Sequence, residues 1–187
     1  MTAVNEDDFW GIVEAARADD KAFHEALEDR LAERSAEEIC AFQARFDELD
    51  AAVCRWDVWA AAHLIGGGCS DDSFADFRAG LIALGREWHE RVRRSPDALA
   101  DHPAVIKAAT DGEGYPVFYE QAGHAAAKAY ERITGKDEHD FYEAVDEHRD
   151  SHDPDEDEAD MGEEFDFDDD AEMRARLPRL AELFLPA

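Results

Sequence analysis

Residues 35–53 read Ser-Ala-Glu-Glu-Ile-Cys-Ala-Phe-Gln-Ala-Arg-Phe-Asp-Glu-Leu-Asp-Ala-Ala-Val. Ser35 followed three positions later by Glu38 makes a capping box, in which hydroxyl and carboxylate each satisfy an amide that the first helical turn leaves without a partner. Ile39, Phe42, Phe46, Leu49 and Val53 then recur at three- and four-residue spacing, so they share one face over about four turns of a 3.6-residue helix. Strand-like alternation is missing here, and this stretch sets the pattern for the first 135 residues.

Working outward, Phe9, Ile12, Val13 and Ala16 mark one helical face, and Phe23, Leu27 and Leu31 mark the next. On the other side Trp56, Trp59, Ala60 and Leu64 continue the spacing until Gly66-Gly67-Gly68 stops it, because left-handed backbone costs glycine little. Ser70, with Asp71 and Asp72 in the following turn, starts another helix whose face is Phe74, Phe77, Leu81, Leu84 and Trp88. Pro96 and Pro103 punctuate a weakly helical connection, and Gly112 to Pro116 forms a turn. A helix from about Pro116 carries Phe118, Ala122, Ala125, Ala129 and Ile133 and ends at Gly135, its alanines implying close packing. The pattern predicts an all-α fold, a single helical bundle-like domain.

Charge is distributed unevenly. The 187 residues carry 48 acids and 19 bases, a net charge of −29, yet a 45% hydrophobic share with eleven Phe and four Trp is ample for a core. Residues 137–172 hold twenty acids and one base, Arg149, so this segment alone carries −19 and the rest −10. Such like charge disfavours compaction, and the middle of it, Asp150 to Glu164, reads as a solvated, disordered linker. Helical spacing returns at Met173, Leu177, Leu180 and Phe184, with Asp168 to Asp170 placed to cap it and Pro178 to kink or divide it. The expected organisation is a helical domain over 1–136, an acidic linker over 137–167, and a C-terminal helix over 168–187.

These features exclude some classes. Nucleic acid and anionic membrane surfaces need a positive patch, so neither is an expected partner. Met1 to Asp8 carries three acids and neither a basic n-region nor an apolar h-region, which predicts a cytoplasmic protein. The longest uncharged run, Val58 to Ser70, is thirteen residues with three glycines, too short to span a bilayer. Three cysteines, Cys40, Cys54 and Cys69, argue against a disulfide framework.

The run Arg55-Trp56-Asp57-Val58-Trp59, then Gly67-Gly68-Cys69-Ser70-Asp71-Asp72-Ser73-Phe74, Phe77-Arg78 and Gly85-Arg86 stands out. With Phe9-Trp10, Phe165-Asp166-Phe167-Asp168-Asp169 and Leu177-Pro178-Arg179-Leu180, it resembles a bacterial family catalogued only as domain of unknown function 4240. The resemblance implies no activity, substrate or cofactor. It implies that the central loop and terminal helix belong to one plan, with the tail docked on its own core.

Candidate chemistry concentrates at the same place. A glycine-rich turn entering a helix suits an anion, but Asp71 and Asp72 already put negative charge there, which favours plain capping by Ser70. Cys69 near a helix N-terminus is a potential nucleophile, opposed by the same two aspartates and lacking a base at local spacing. No four-ligand zinc spacing occurs, and His148 with His152 lies four apart in the acidic stretch. Asp153, Asp155, Asp157 and Glu164 match calcium-loop positions 1, 3, 5 and 12, but Glu158 stands where the loop requires glycine. Tryptophans at helical spacing are core residues more often than ligand platforms.

The preferred expectation is a noncatalytic binding or regulatory module that recognises a basic protein through its acidic segment, without cofactor or metal. The alternative is a small-molecule or divalent-metal pocket, enzymatic or not, around Trp56, Asp57, Trp59, Cys69, Ser70, Asp71, Asp72 and Arg78.

Overall fold

The computed structural model describes residues 4–112, 114–152 and 160–186. In chain order the described residues form α1 (Glu6–Arg17), α2 (Phe23–Ala32), α3 (Ala36–Ala51), α4 (Trp56–Gly66), α5 (Asp71–Ala83) and α6 (Arg86–Arg94). A 3-10 helix (Pro96–Asp101) follows, then α7 (Pro103–Asp111), α8 (Glu120–Thr134), α9 (Glu138–His152), α10 (Asp170–Arg176) and α11 (Pro178–Phe184). No strand occurs among the described residues, so the fold is all-α as the periodicity predicts. The helices gather into two compact units, each discontinuous in sequence: Met1–Asp50 with Glu120–Glu158, and Ala51–Tyr119 with Ala159–Ala187.

In the first unit, α1 starts where the Asn5 side chain accepts the Asp8 amide at 2.9 Å. It buries Phe9, Trp10, Ile12, Val13 and Ala16. Phe9 stacks on Phe42 of α3 with centroids 4.6 Å apart, and meets Phe46 at 6.4 Å. The capping box at the head of α3 forms as expected. Glu38 N–H donates to Ser35 Oγ at 3.3 Å and Ser35 N–H to Glu38 Oε2 at 2.9 Å. The Ser35 N–H, and after it the Ser35 hydroxyl, donate to the Glu38 carboxylate and hold it below its ordinary value. Ile39, Phe42, Phe46 and Leu49 are all buried on α3, while Val53, also buried, lies just past its end.

α8 packs along α2 through Ala122, Ala125, Ala126 and Ala129, small enough to bring the two backbones close. Arg132 of α8 pairs with Asp29 of α2 at 2.6 Å. This helix begins at Glu120 rather than near Pro116, and Ile133 is 39% exposed rather than core. The first residues of the acidic stretch, 138–152, form α9 rather than linker. Phe141 and Val145, spaced by four, are buried there, and Phe141 meets Tyr130 of α8 at 5.1 Å. Arg149, the lone base of residues 137–172, pairs with Asp47 of α3.

In the second unit α4 is central, buried on nearly every side through Val58, Ala60, Ala61, Ala62, Leu64 and Ile65. Gly67 at φ 65° ends it, with Gly68 N–H donating to His63 C=O at 2.9 Å. Ser70 caps α5 by accepting the Ser73 amide at 3.2 Å, and Phe74, Phe77 and Leu81 enter the core. The tail docks on this same core through Met173, Leu177 and Leu180. Asp169 caps α10, and Pro178 divides the tail, since α10 ends at Arg176 and α11 restarts on the proline.

Candidate functional site

The two tryptophans at the start of α4 define the site. Three residues apart on one helix, Trp56 and Trp59 stack with centroids 5.3 Å apart and planes 5° from parallel. Trp59 stacks in turn on Phe74 of α5 at 4.8 Å, and the Arg78 guanidinium lies 5.0 Å over the Phe74 ring. Trp59 Nε1 donates to the Cys69 carbonyl at 3.0 Å, tying the glycine-rich turn to the stack.

A second chain segment closes against this stack. Trp56 N–H, an orphan donor of the first turn of α4, donates to Met161 C=O at 3.0 Å. Beyond that anchor, residues 164–168 alternate: Glu164, Asp166 and Asp168 are exposed, while Phe165 and Phe167 are half-buried against the core. The two rings are thus held against the core while the three carboxylates between and beside them stay in water. Phe167 stands edge-on to Trp56 at 6.0 Å and to Trp59 at 6.3 Å, with His63 at 5.5 Å. Phe165 carries the Arg176 guanidinium 4.2 Å above its ring, and that guanidinium also pairs with Glu172 and Glu163, each at 3.0 Å. Asp168 N–H donates to Asp166 Oδ1 at 2.9 Å, shaping the turn into α10.

Between these walls runs an open groove of about 660 Å³, lined by Trp56, His63, Glu164, Phe165, Asp166, Phe167 and Asp168. A smaller hollow of about 220 Å³ shares His63, Phe167 and Asp168 with it and adds Leu64, Gly67, Asp170, Phe184 and Leu185. Indole and phenyl faces beside carboxylates attract cations twice over, through the ring quadrupole and through charge.

The sequence candidates separate into three places. Trp56, Trp59 and Arg78 belong to the ring stack, with Cys69 attached through its carbonyl. Asp57 turns instead to Arg55, which grips it through Nε at 2.9 Å and through its second nitrogen at 3.0 Å. Asp57 lines a separate cleft of about 180 Å³ with Met161, Gly162, Glu163 and Arg176. Ser70 serves as the α5 cap, and Asp71 and Asp72 stand exposed in its first turn. Burial pushes the Cys69 thiol up to about 11, so it is a poor nucleophile near neutrality.

His63, Glu164, Asp166 and Asp168 are groove residues that periodicity did not place in a site. The signal was present in the acid-aromatic alternation from Glu164 to Asp168. Among the described residues no group of three or more His, Cys, Asp or Glu side chains is set to hold a metal ion. Asp153, Asp155 and Asp157 of the calcium-like spacing, and the side chain of His152, lie outside the described residues. No described helix is long and apolar enough to cross a membrane, and all three cysteines are free thiols.

The first unit has a hollow of about 580 Å³ between α1 and the α2–α3 turn, lined on one side by Arg30 and Arg34. Both are matched by carboxylates: Arg30 by Asp19 at 3.2 Å and Arg34 by Glu38 at 3.5 Å. It therefore lacks the one-signed rim of the aromatic groove.

The model of a family described as "Protein of unknown function (DUF4240)" matches residues 4–132. The chain belongs to the DUF4240 family. In this DUF4240 member the matched part includes Phe9-Trp10 and the whole Trp56 to Arg86 stretch, while the groove's second wall, residues 164–168, lies beyond it. No curated protein and no solved structure matches the chain.

Proposed function

We propose that this DUF4240 protein is a noncatalytic binding module that recognises a basic partner at the groove between Trp56 and residues 164–168. One observation carries the reading: Glu164, Asp166 and Asp168 alternate with Phe165 and Phe167, so carboxylates rim a groove walled by aromatic rings. Opposite charge speeds encounter, and the rings supply area that does not depend on salt. The raised thiol of Cys69 and the capping roles of Ser70 and Asp169 support binding over catalysis at this place.

The test is titration of the full chain with a short cationic peptide and an anionic peptide of equal length, followed by calorimetry at two salt concentrations. The cationic peptide is expected to bind, and to bind more weakly as salt rises. Replacing Glu164, Asp166 and Asp168 together by Gln, Asn and Asn should weaken it by at least about tenfold, roughly 1.4 kcal/mol. Unchanged affinity in that variant would remove the groove from the account.

A further inference from the structure

We infer that the groove takes an arginine side chain of the basic partner, in preference to lysine; this rests on the binding role proposed above. The wall of the groove already shows the geometry with an internal guest. The Arg176 guanidinium carbon sits 4.2 Å from the centre of the Phe165 ring while its nitrogens reach Glu163 and Glu172. Arg91 repeats the arrangement elsewhere in the same unit, 4.2 Å over Trp88 with Asp101 at 3.3 Å. In the groove Trp59 covers one face of Trp56 and Phe167 meets the indole edge-on, and the part of Trp56 that lines the open groove is the surface a planar cation would stack on.

Guanidinium and ammonium differ in what such a place offers them. A guanidinium is planar, weakly hydrated and presents its donors as a rigid fork, so it stacks on an indole while bonding carboxylates at its edge. An ammonium is a compact, strongly hydrated charge: it too is drawn to the ring face, but it gives up more hydration to reach it and cannot stack flat while bonding carboxylates at its edge. Glu164, Asp166 and Asp168 supply the rim for either cation. The ring stack supplies the discrimination.

The experiment compares two peptides of the same length and charge, one presenting arginines and the other lysines at the same positions, against the full chain. The arginine peptide should bind about tenfold more tightly, a difference within the range of a partly desolvated cation–π contact. The indole N–H resonance of Trp56, assigned through Trp56→Tyr, should move with the arginine peptide far more than with the lysine peptide. Trp56→Leu should erase the preference and leave the weaker, salt-sensitive binding common to both. Equal binding of the two peptides to the native chain would overturn the arginine reading while leaving a basic partner in place. Binding of neither at low salt would overturn both. If Trp56→Leu does not fold, the native-chain comparison and the Trp56 resonance decide alone, and a resonance that stays still overturns the location.

Discussion

The carboxylate of Asp97 caps a helix that begins 81 residues later, at Pro178: its Oδ1 accepts the backbone amide of Leu180 at 2.9 Å and that of Arg179 at 3.1 Å. Asp97 is only 8% exposed, and Pro178 at the first helical position has no amide to offer. The Arg179 side chain reaches back to Asp101 on the same 3-10 helix, so one short element holds the tail by backbone and by side chain.

Asp97→Ala therefore leaves two amides of α11 without their acceptor. The expected loss is about 2 kcal/mol, between that of a helix cap and that of a buried charge-assisted hydrogen bond. Chemical denaturation measures it, and limited proteolysis should show earlier cutting near Pro178. A change under about 0.5 kcal/mol would mean the cap is decorative.

Two glycines make opposite predictions. A Cβ on Gly80 would lie 1.4 Å from the carbonyl oxygen of Val117, whose own φ of 79° is unusual for a β-branched residue. Backbone cannot move aside cheaply, so Gly80→Ala should cost about 3 kcal/mol or more by forcing this strap off α5. A Cβ on Gly11, inside α1, would meet nothing within 4 Å. Gly11→Ala should stabilise by about 0.5–1 kcal/mol, the helix-propensity difference. Thermal unfolding of the two variants should move in opposite directions.

The Asp29 carboxyl is held down at about 2, first by the hydrogen bond from Lys21 and then by that from Arg132. Its folded value lies below the ordinary 3.8, so its contribution is complete above about pH 4 and disappears as pH falls through about 2. Carbon-detected NMR should place its midpoint near 2, and Lys21→Ala should raise it. A native midpoint at the ordinary value would refute the pairing.

Burial holds both the Cys40 and Cys69 thiols at about 11. Alkylation by iodoacetamide should accordingly be slow at pH 7.5 and climb until about pH 11 in variants that retain Cys40 or Cys69 as the sole cysteine, with Cys54 also replaced. A rate profile that levels off below pH 9 at Cys69 would reopen the case for a nucleophile there.

Much of this was readable from residues close together in the chain. The capping box at Ser35, the stop at Gly67, the start at Ser70 and the break at Pro178 each depend on chemistry within a few positions. The acidic run misled for a local reason: its charge density masked Phe141 and Val145, which are enough to seat α9 once Tyr130 and Asp47 are present to receive Phe141 and Arg149. α8 starts later than the spacing predicts because the segment around Val117 is committed to Gly80 and to the Asp76 carbonyl, which accepts the Tyr119 amide at 2.9 Å.

At the candidate site, the sequence pointed to Trp56 and Trp59 but grouped them with Asp57, Asp71 and Asp72. Helical spacing explains why the indoles meet, whereas the direction of a short carboxylate depends on which partner is nearest. For Asp57 that partner is Arg55.

What the sequence alone determined is the all-α class, most helix starts and stops, and the −19 concentrated after residue 136, because periodicity, capping and charge are properties of neighbours. Only the tertiary structure decided that Met161 bonds Trp56, that Phe167 edges the indole stack, and that Asp97 caps α11. Those contacts join segments roughly eighty to one hundred and ten residues apart, and nothing in the local pattern of either segment names the other.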